Sequence, residues 1–272
     1  MSRAPLITST NADRRIDTRP GEYFFIQVEE ILPAWHSVLR VTSPGALPLP
    51  GPATVTAAVG DLKPRLRGWL HAYAAAVSFA TGAVLVGVSA AVRGGPAGAT
   101  TAVYSATVTL LFGTSALYHR VNWRARGLAV MSRLDHSMIF VFIAGTYTPI
   151  AALTLRGTAR PTVLAVVWAG AMAGVVVQAI WPRAPRWLSV PCYVALGWVA
   201  VFVFPDLLHN AGVTAFVLIA TGGLIYTLGA VVYAIKRPNP WPSTLGFHEV
   251  FHLCTLVAAL CHYVAIWFAV FS

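Results

Sequence analysis

Long apolar segments separated by short polar ones dominate the chain after residue 62. A helix that crosses a bilayer needs about 20 predominantly apolar residues, and seven segments have that length and character. We predict spans at approximately 67–92, 99–120, 134–155, 161–181, 187–205, 211–235 and 247–271. Backbone polar groups find no water partner within lipid, so each crossing must be helical. The pattern therefore predicts an all-α integral membrane protein that forms a bundle of seven transmembrane helices.

Residues 1–62 differ in composition and contain no apolar segment long enough to cross a bilayer. They hold most of the acidic residues and many prolines, including the run PGALPLPGP. Such a composition predicts a disordered or weakly ordered N-terminal extension. The extension lacks the order of basic and apolar regions that marks a signal peptide. We therefore divide the chain into an extension, 1–62, and a membrane domain, 63–272.

The composition supports the membrane assignment. Hydrophobic residues make up 57% of the chain and charged residues 10%, whereas a soluble domain carries roughly 25% charged residues. The net charge of +10 lies in short clusters between the apolar segments, which argues against nucleic acid as a partner. The three cysteines, Cys192, Cys254 and Cys261, show no C-x-x-C spacing, so neither a disulfide framework nor a thiolate zinc site is indicated.

The distribution of basic residues predicts the orientation of the bundle. Cytoplasmic loops of membrane proteins carry an excess of Lys and Arg. A cytoplasmic N-terminus would place eleven basic residues on the inner side of the spans and three on the outer side. The inner set is Lys63, Arg65, Arg67, Arg120, Arg124, Arg126, Arg133, Arg183, Arg186, Lys236 and Arg237, and the outer set is Arg93, Arg156 and Arg160. We therefore predict that the N-terminus is cytoplasmic and the C-terminus outside.

Polar residues of three predicted spans meet at one depth near the cytoplasmic face. Ionisable residues within spans are costly and usually functional. Residues four apart share a helix face, so each of the motifs S-x-x-x-H and H-x-x-x-H places two side chains together. Three imidazoles with a position left for water suit catalytic zinc, and a nearby carboxylate could hold or deprotonate that water. The residues are Ser115 and His119 of the second span, Asp135 of the third, and His248 and His252 of the seventh.

Each of these residues also has a simpler interpretation. His119 could be an interfacial polar residue, Asp135 could be a helix N-cap paired with Arg133, and the histidine pair of the seventh span could be accidental.

Three further histidines are not assigned as metal ligands. We interpret His136 as structural, because it lies roughly 100° around the helix from Asp135. His262 lies about 15 Å along the helix from His252, so we interpret it as a buried hydrogen-bonding histidine. His71 faces the same cytoplasmic side and could support the site, although its spacing does not argue for it.

The segment His248-Glu249-Val250-Phe251-His252 also matches the H-E-x-x-H pattern of zinc proteases. That pattern needs a third ligand, normally downstream, with the glutamate as general base. Only twenty residues follow His252, none of them acidic, and His262 has the wrong spacing. The context therefore argues against a protease.

The order and spacing of the motifs resemble a known family. The chain carries Ser115-x-x-x-His119, then Arg-Leu-Asp135-His-Ser followed by AGTYTP, then His248-x-x-x-His252 in the last span. These motifs resemble the hemolysin III family, the bacterial branch of the progestin and adipoQ receptor group, which is more distantly related to alkaline ceramidases. The resemblance covers about residues 65–272.

The resemblance implies a multi-pass protein of the cell membrane with zinc bound by His119, His248 and His252. It implies that Asp135 contacts the zinc-bound water, that Ser115 supports the site and that Glu249 is incidental to it. The activity expected from this is zinc-dependent hydrolysis of a ceramide-like lipid amide. The alternatives are a non-enzymatic membrane homeostasis factor or sensor with a structural zinc, and a cytolytic protein. Neither the lipid nor the oligomeric state is fixed by the sequence.

Overall fold

The computed structural model of the protein describes residues 64, 66–181, 185–241 and 243–272. The predicted N-terminal extension, 1–62, lies outside the described residues. Within the described residues the secondary structure is helical, without strands, which confirms the predicted all-α class. The helices are α1 (Trp69–Arg93), α2 (Gly95–Arg120), α3 (Ala125–Thr154), α4 (Ala159–Ile180), α5 (Arg186–Gly197), a 3-10 helix (Trp198–Val203), α6 (Phe204–Ile235) and α7 (Phe247–Phe271).

Five helical stretches of the described residues are long and apolar enough to cross a membrane. They are α1, α3, α4, the continuous stretch Trp187–Ile235 and α7. This confirms a membrane protein, while the count of seven spans stays a prediction. Five stretches are found where seven spans were predicted for two reasons. Helix α2 is too polar to be counted, and α5 and α6 are counted together as one stretch.

A break inside α6 lies close to the predicted boundary between two spans. Gly212 has φ 81° and ψ 171°, which is outside helical geometry. A positive φ of this kind is readily adopted by glycine and disfavoured for residues with a Cβ. The sequence pattern placed the boundary between residues 205 and 211, so the glycine marks the change of helix at nearly the expected position.

Helix α2 is less apolar because it turns hydroxyl side chains into the bundle. Thr101, Ser105 and Thr107 are buried, and each donates to a backbone carbonyl, so its polar group is satisfied inside the protein. Helix α3 approaches α2 closely at Gly145, where a Cβ would lie 2.1 Å from the Thr107 Oγ1. Helix α2 therefore packs between α1 and α3.

The start of α1, the end of α2 and the start of α7 meet at one end of the bundle. The Arg120 guanidinium of α2 lies 3.5 Å from the centre of the Trp69 ring of α1. The backbone N–H of Leu66 donates to the Thr244 carbonyl at 3.3 Å, which joins the segments that precede α1 and α7. This end of the bundle carries His119, His248 and His252.

Candidate metal centre

Three histidines from two helices form one cluster. His119 lies one residue before the end of α2, and His248 and His252 lie in the first two turns of α7. The chain folds this way locally because the four-residue spacing in α7 places both imidazoles on one helix face. One ligand nitrogen from each histidine lies within 4.8 Å of those of the other two. The predicted convergence of these three residues is therefore confirmed.

The spacing of the cluster fits a metal ion. The Nε2 atoms of His119 and His248 are 3.1 Å apart. Two nitrogen ligands on one tetrahedral zinc ion lie about 3.3 Å apart, because each Zn–N bond is about 2.0–2.1 Å long. The rings of His119 and His252 have centroids 5.2 Å apart, and those of His248 and His252 are 4.4 Å apart. One nitrogen of each ring is therefore close enough to the other two for all three to reach one ion.

Burial of the cluster favours ligation by neutral imidazoles. His119 and His252 are 8% and 3% exposed, and His248 is half-buried. Charged groups are costly in such surroundings, whereas a neutral imidazole offers a lone pair to a metal. Three imidazoles form a donor set that suits zinc and other borderline divalent metals. The residues present therefore fit a metal ion, and the ligand set alone does not select its identity.

Ser115 and Asp135 form a pair close to this cluster. The Ser115 side chain is buried and lies beside the Asp135 carboxyl group. Ser115 precedes His119 by one helical turn on α2, so it lies about 6 Å along the helix axis from that histidine. The structure therefore places Ser115 next to the histidine cluster and Asp135 next to Ser115. Their catalytic roles stay predictions.

The alternative interpretation of Asp135 as a helix N-cap is wrong. The third predicted span begins at residue 134, but α3 begins at Ala125, ten residues before Asp135. Asp135 is thus an interior residue of a helix, and the cap position is held by Arg124. The helix begins earlier than the span because residues 125–133 are helical without being continuously apolar.

Glu249 is not available as the general base of a protease. Its side chain is 1% exposed, and its Oε2 accepts a hydrogen bond from the Gly246 N–H at 2.9 Å. Its Oε1 accepts a hydrogen bond from the Arg67 guanidinium in an ion pair. Both oxygens are therefore engaged in fixing the start of α7, which agrees with the expectation that Glu249 is incidental to metal binding.

The structural role of Glu249 was not predicted from the sequence. A glutamate three residues after the N-cap is the signal that could have revealed it, because its side chain can reach back to the N-cap N–H. The same start of α7 is held by Asn239, whose Oδ1 accepts from the Phe247 N–H at 2.9 Å. These contacts set the position at which His248 and His252 enter the cluster.

The three other histidines discussed in the sequence analysis, His71, His136 and His262, differ in whether they contact the cluster. His136 Nδ1 donates to the Ser132 carbonyl at 2.7 Å and His262 Nε2 donates to the Ile219 carbonyl at 3.3 Å, which supports their interpretation as structural residues. His71 instead joins the cluster, since its ring stacks on that of His252. The spacing of His71 gave no signal of this contact, because it depends on the packing of α1 against α7.

The fold and the cluster define an all-helical membrane protein with a buried histidine triad that could hold a metal ion. Residues 61–263 match the family described as Haemolysin-III related. The chain therefore belongs to this family, and the predicted resemblance is confirmed.

Curated relatives agree with this assignment. The chain is 32% identical to Hemolysin-3 of Bacillus cereus over 57% of the chain and 67% of that protein. It is 30% identical to the Hemolysin-3 homolog of Bacillus subtilis over 50% of the chain and 63% of that protein. It is 26% identical to the human monocyte to macrophage differentiation factor over 61% of the chain and 68% of that protein. The matched part thus spans about two thirds of each relative.

Proposed function

We propose that the protein crosses the cell membrane seven times, holds zinc through His119, His248 and His252, and hydrolyses an amide bond of a membrane lipid. The observation that carries the proposal is the convergence of three imidazoles, with one nitrogen from each within 4.8 Å of the others, beside the Ser115–Asp135 pair. A cluster of three nitrogen ligands with a carboxylate nearby is the arrangement of catalytic zinc sites, in which one coordination position stays open.

Two features support seven crossings. Helix α2 has 26 residues, which is enough to cross the hydrocarbon core of about 30 Å. The stretch Trp187–Ile235 has 49 residues and as one straight helix would be about 74 Å long. The break at Gly212 lets this stretch cross twice. Together with the excess of basic residues on one side, seven crossings place the N-terminus in the cytoplasm and the C-terminus outside.

The chemistry assigned to the site is hydrolytic. A bound zinc ion supplies Lewis acidity, which polarises an acyl carbonyl and lowers the pKa of a coordinated water to about 7. Asp135 accepts a proton from the attacking water and delivers it to the amine that leaves as the acyl–nitrogen bond breaks. Ser115, which lies beside the Asp135 carboxyl, helps to orient it through its hydroxyl group. The products are a carboxylic acid and an amine, and Asp135 returns to its starting state.

A lipid is the proposed substrate because the site lies within the membrane-spanning part of the chain. All three histidines belong to helices that meet at one end of the bundle, where a lipid headgroup region would lie in the proposed topology. The amide linkage and the ceramide-like class come from the resemblance to the receptor and ceramidase group. The chain's own residues support hydrolysis as the reaction class and leave the acyl chain open.

A non-enzymatic function is the second candidate, and the burial of the triad supports it. His119 and His252 are buried, and a buried triad also suits a structural zinc that ties α2 to α7 in a membrane homeostasis factor or sensor. A cytolytic function, suggested by the names of the Bacillus relatives, is a further alternative and has no support from the site.

The deciding experiment compares Asp135→Asn with the wild type in detergent or in lipid vesicles. We expect the variant to keep its zinc and to hydrolyse a panel of lipid amides at least 100-fold more slowly, which is the effect of removing a general base. Zinc content is measured by elemental analysis, and turnover by release of the fatty acid. Arg133→Gln is the matched control, because it alters an exposed residue of α3 two positions from Asp135 and should leave turnover close to wild type. Undiminished turnover in Asp135→Asn would contradict the proposal.

A further inference from the structure

A fourth imidazole packs against the metal-binding cluster from a helix that contributes no ligand. His71 lies in the first turn of α1 and is 3% exposed. Its ring lies face to face with that of His252, with centroids 3.8 Å apart and planes inclined by 11°. The Phe112 ring is 4.9 Å from the same imidazole. His71 is thus held between a proposed ligand and an aromatic residue of α2.

Within the described part of the chain, the ring nitrogens of His71 make no hydrogen bond that would explain why a histidine is buried at this position. Both ring nitrogens are inaccessible to water and have no hydrogen-bond partner among the described residues. The backbone of His252 runs beside the ring, but neither nitrogen makes a hydrogen bond of ordinary geometry with it. Unpaired polar atoms of this kind are costly to bury. The favourable contact that His71 makes is therefore the one through the face of its ring.

Parallel stacking also excludes His71 as a further ligand to the same ion. The lone pair of an imidazole nitrogen lies in the plane of its ring, and a metal lies close to that plane at about 2.0–2.1 Å. The two ring planes are nearly parallel and their centroids are 3.8 Å apart. An ion in the plane of the His252 ring would therefore lie outside the plane of the His71 ring, where the His71 lone pairs could not reach it. His71 therefore acts on the ligand and not on the metal.

We propose that His71 is a positioning residue that fixes the plane of the His252 imidazole. The torsion that rotates a histidine ring about its Cβ–Cγ bond is broad, so a ligand histidine needs an outside contact to hold its lone pair toward the ion. Stacking of two buried aromatic rings stabilises their relative orientation beyond what burial alone contributes. The inference rests on the proposed metal centre, and it adds α1 to the helices that shape that centre.

The test compares two substitutions that differ in whether they keep a flat ring. His71→Phe preserves the stacking surface and removes both nitrogens, whereas His71→Leu removes the ring. We expect His71→Leu to bind Zn²⁺ about 10- to 100-fold more weakly, the usual effect of losing a residue that orients a ligand, and His71→Phe to keep the wild-type affinity. Affinity is measured on the full-length chain in detergent by competition with a chelator.

A spectroscopic readout separates positioning from general destabilisation. Co²⁺ is substituted for Zn²⁺, and its visible absorption reports the arrangement of the ligands. We expect the His71→Leu spectrum to change while that of His71→Phe matches the wild type. His262→Leu is the matched control. It removes the one histidine of α7 that lies outside the cluster, and it should change neither the Zn²⁺ affinity nor the Co²⁺ spectrum.

The outcomes are distinct. Wild-type affinity in His71→Leu, or an equal loss in His71→Phe and His71→Leu, would overturn the positioning role. A wild-type protein that binds zinc and hydrolyses no lipid amide would refute the proposed activity and leave this inference standing. A wild-type protein that binds neither Zn²⁺ nor Co²⁺ would refute both.

Discussion

At the scale of single residues, the end of the bundle is held by a buried ion pair that lies next to the proposed ligands. Glu249 stands between His248 and His252 in the sequence, yet its carboxylate turns to Arg67 and to the backbone N–H of Gly246. The pair joins the segment before α1 to the first turn of α7. A buried carboxylate without its cation would carry an uncompensated charge, so the two residues stabilise the fold only together.

This coupling predicts an asymmetric mutational effect. Arg67→Met should lower the free energy of unfolding by about 3 kcal/mol, because it leaves Glu249 buried without its partner. The double variant Arg67→Met/Glu249→Met should recover most of that loss, since no unpaired charge remains. The measurement is the thermal unfolding midpoint in detergent.

Arg120→Met is the control for this pair. Its guanidinium lies over the Trp69 ring at the same end of the bundle, but Arg120 is exposed, so its loss should cost about 0.5–1 kcal/mol. Equal destabilisation by the single Arg67 variant and the double variant would show that the ion pair does not hold the start of α7.

The residues of the cluster differ in how far the sequence could reveal them. His248 and His252 could be paired from their four-residue spacing, and His119 could be added because it lies at the matching end of its span. His71 could not be assigned in this way, because its contact with His252 joins residues 181 positions apart through the packing of α1 against α7. Local periodicity defines which face a side chain occupies and does not define its neighbour on another helix.

At the scale of helices, hydropathy predicted where the chain is apolar more accurately than where its helices begin. Helix α3 begins at Ala125 although its apolar part begins near residue 134, because the first turns of a helix can extend beyond the lipid. Helix α2 was predicted as a span, yet its hydroxyl groups lower its hydropathy and are satisfied by backbone carbonyls inside the bundle. The break at Gly212 was not predicted from the sequence, because the positive φ that marks it is a property of the folded backbone.

At the scale of the whole molecule, the proposed topology assigns every loop to one side of the membrane. The loop between α2 and α3 would be cytoplasmic and the loop between α3 and α4 would be outside. The metal centre, at the end of α2 and the start of α7, would then lie near the cytoplasmic face. This position would place the proposed hydrolytic site in contact with the inner leaflet.

Single cysteines test this assignment in a variant whose three native cysteines are replaced by serine. Thr158→Cys, in the exposed loop before α4, should react with a membrane-impermeant maleimide in intact cells. Asn122→Cys, in the exposed loop before α3, should react only after the cells are permeabilised. The reverse pattern would invert the orientation, and equal labelling of both sites in intact cells would contradict a single topology.

The central claim is that the three histidines form a metal centre, and metal content tests it most directly. Elemental analysis would compare the detergent-purified wild type, prepared without chelators, with His248→Ala/His252→Ala. We expect about one zinc per chain in the wild type, because three imidazoles complete a zinc site with one open position, and no stoichiometric zinc in the double variant. Wild-type protein without metal, or a double variant that retains it, would contradict the account.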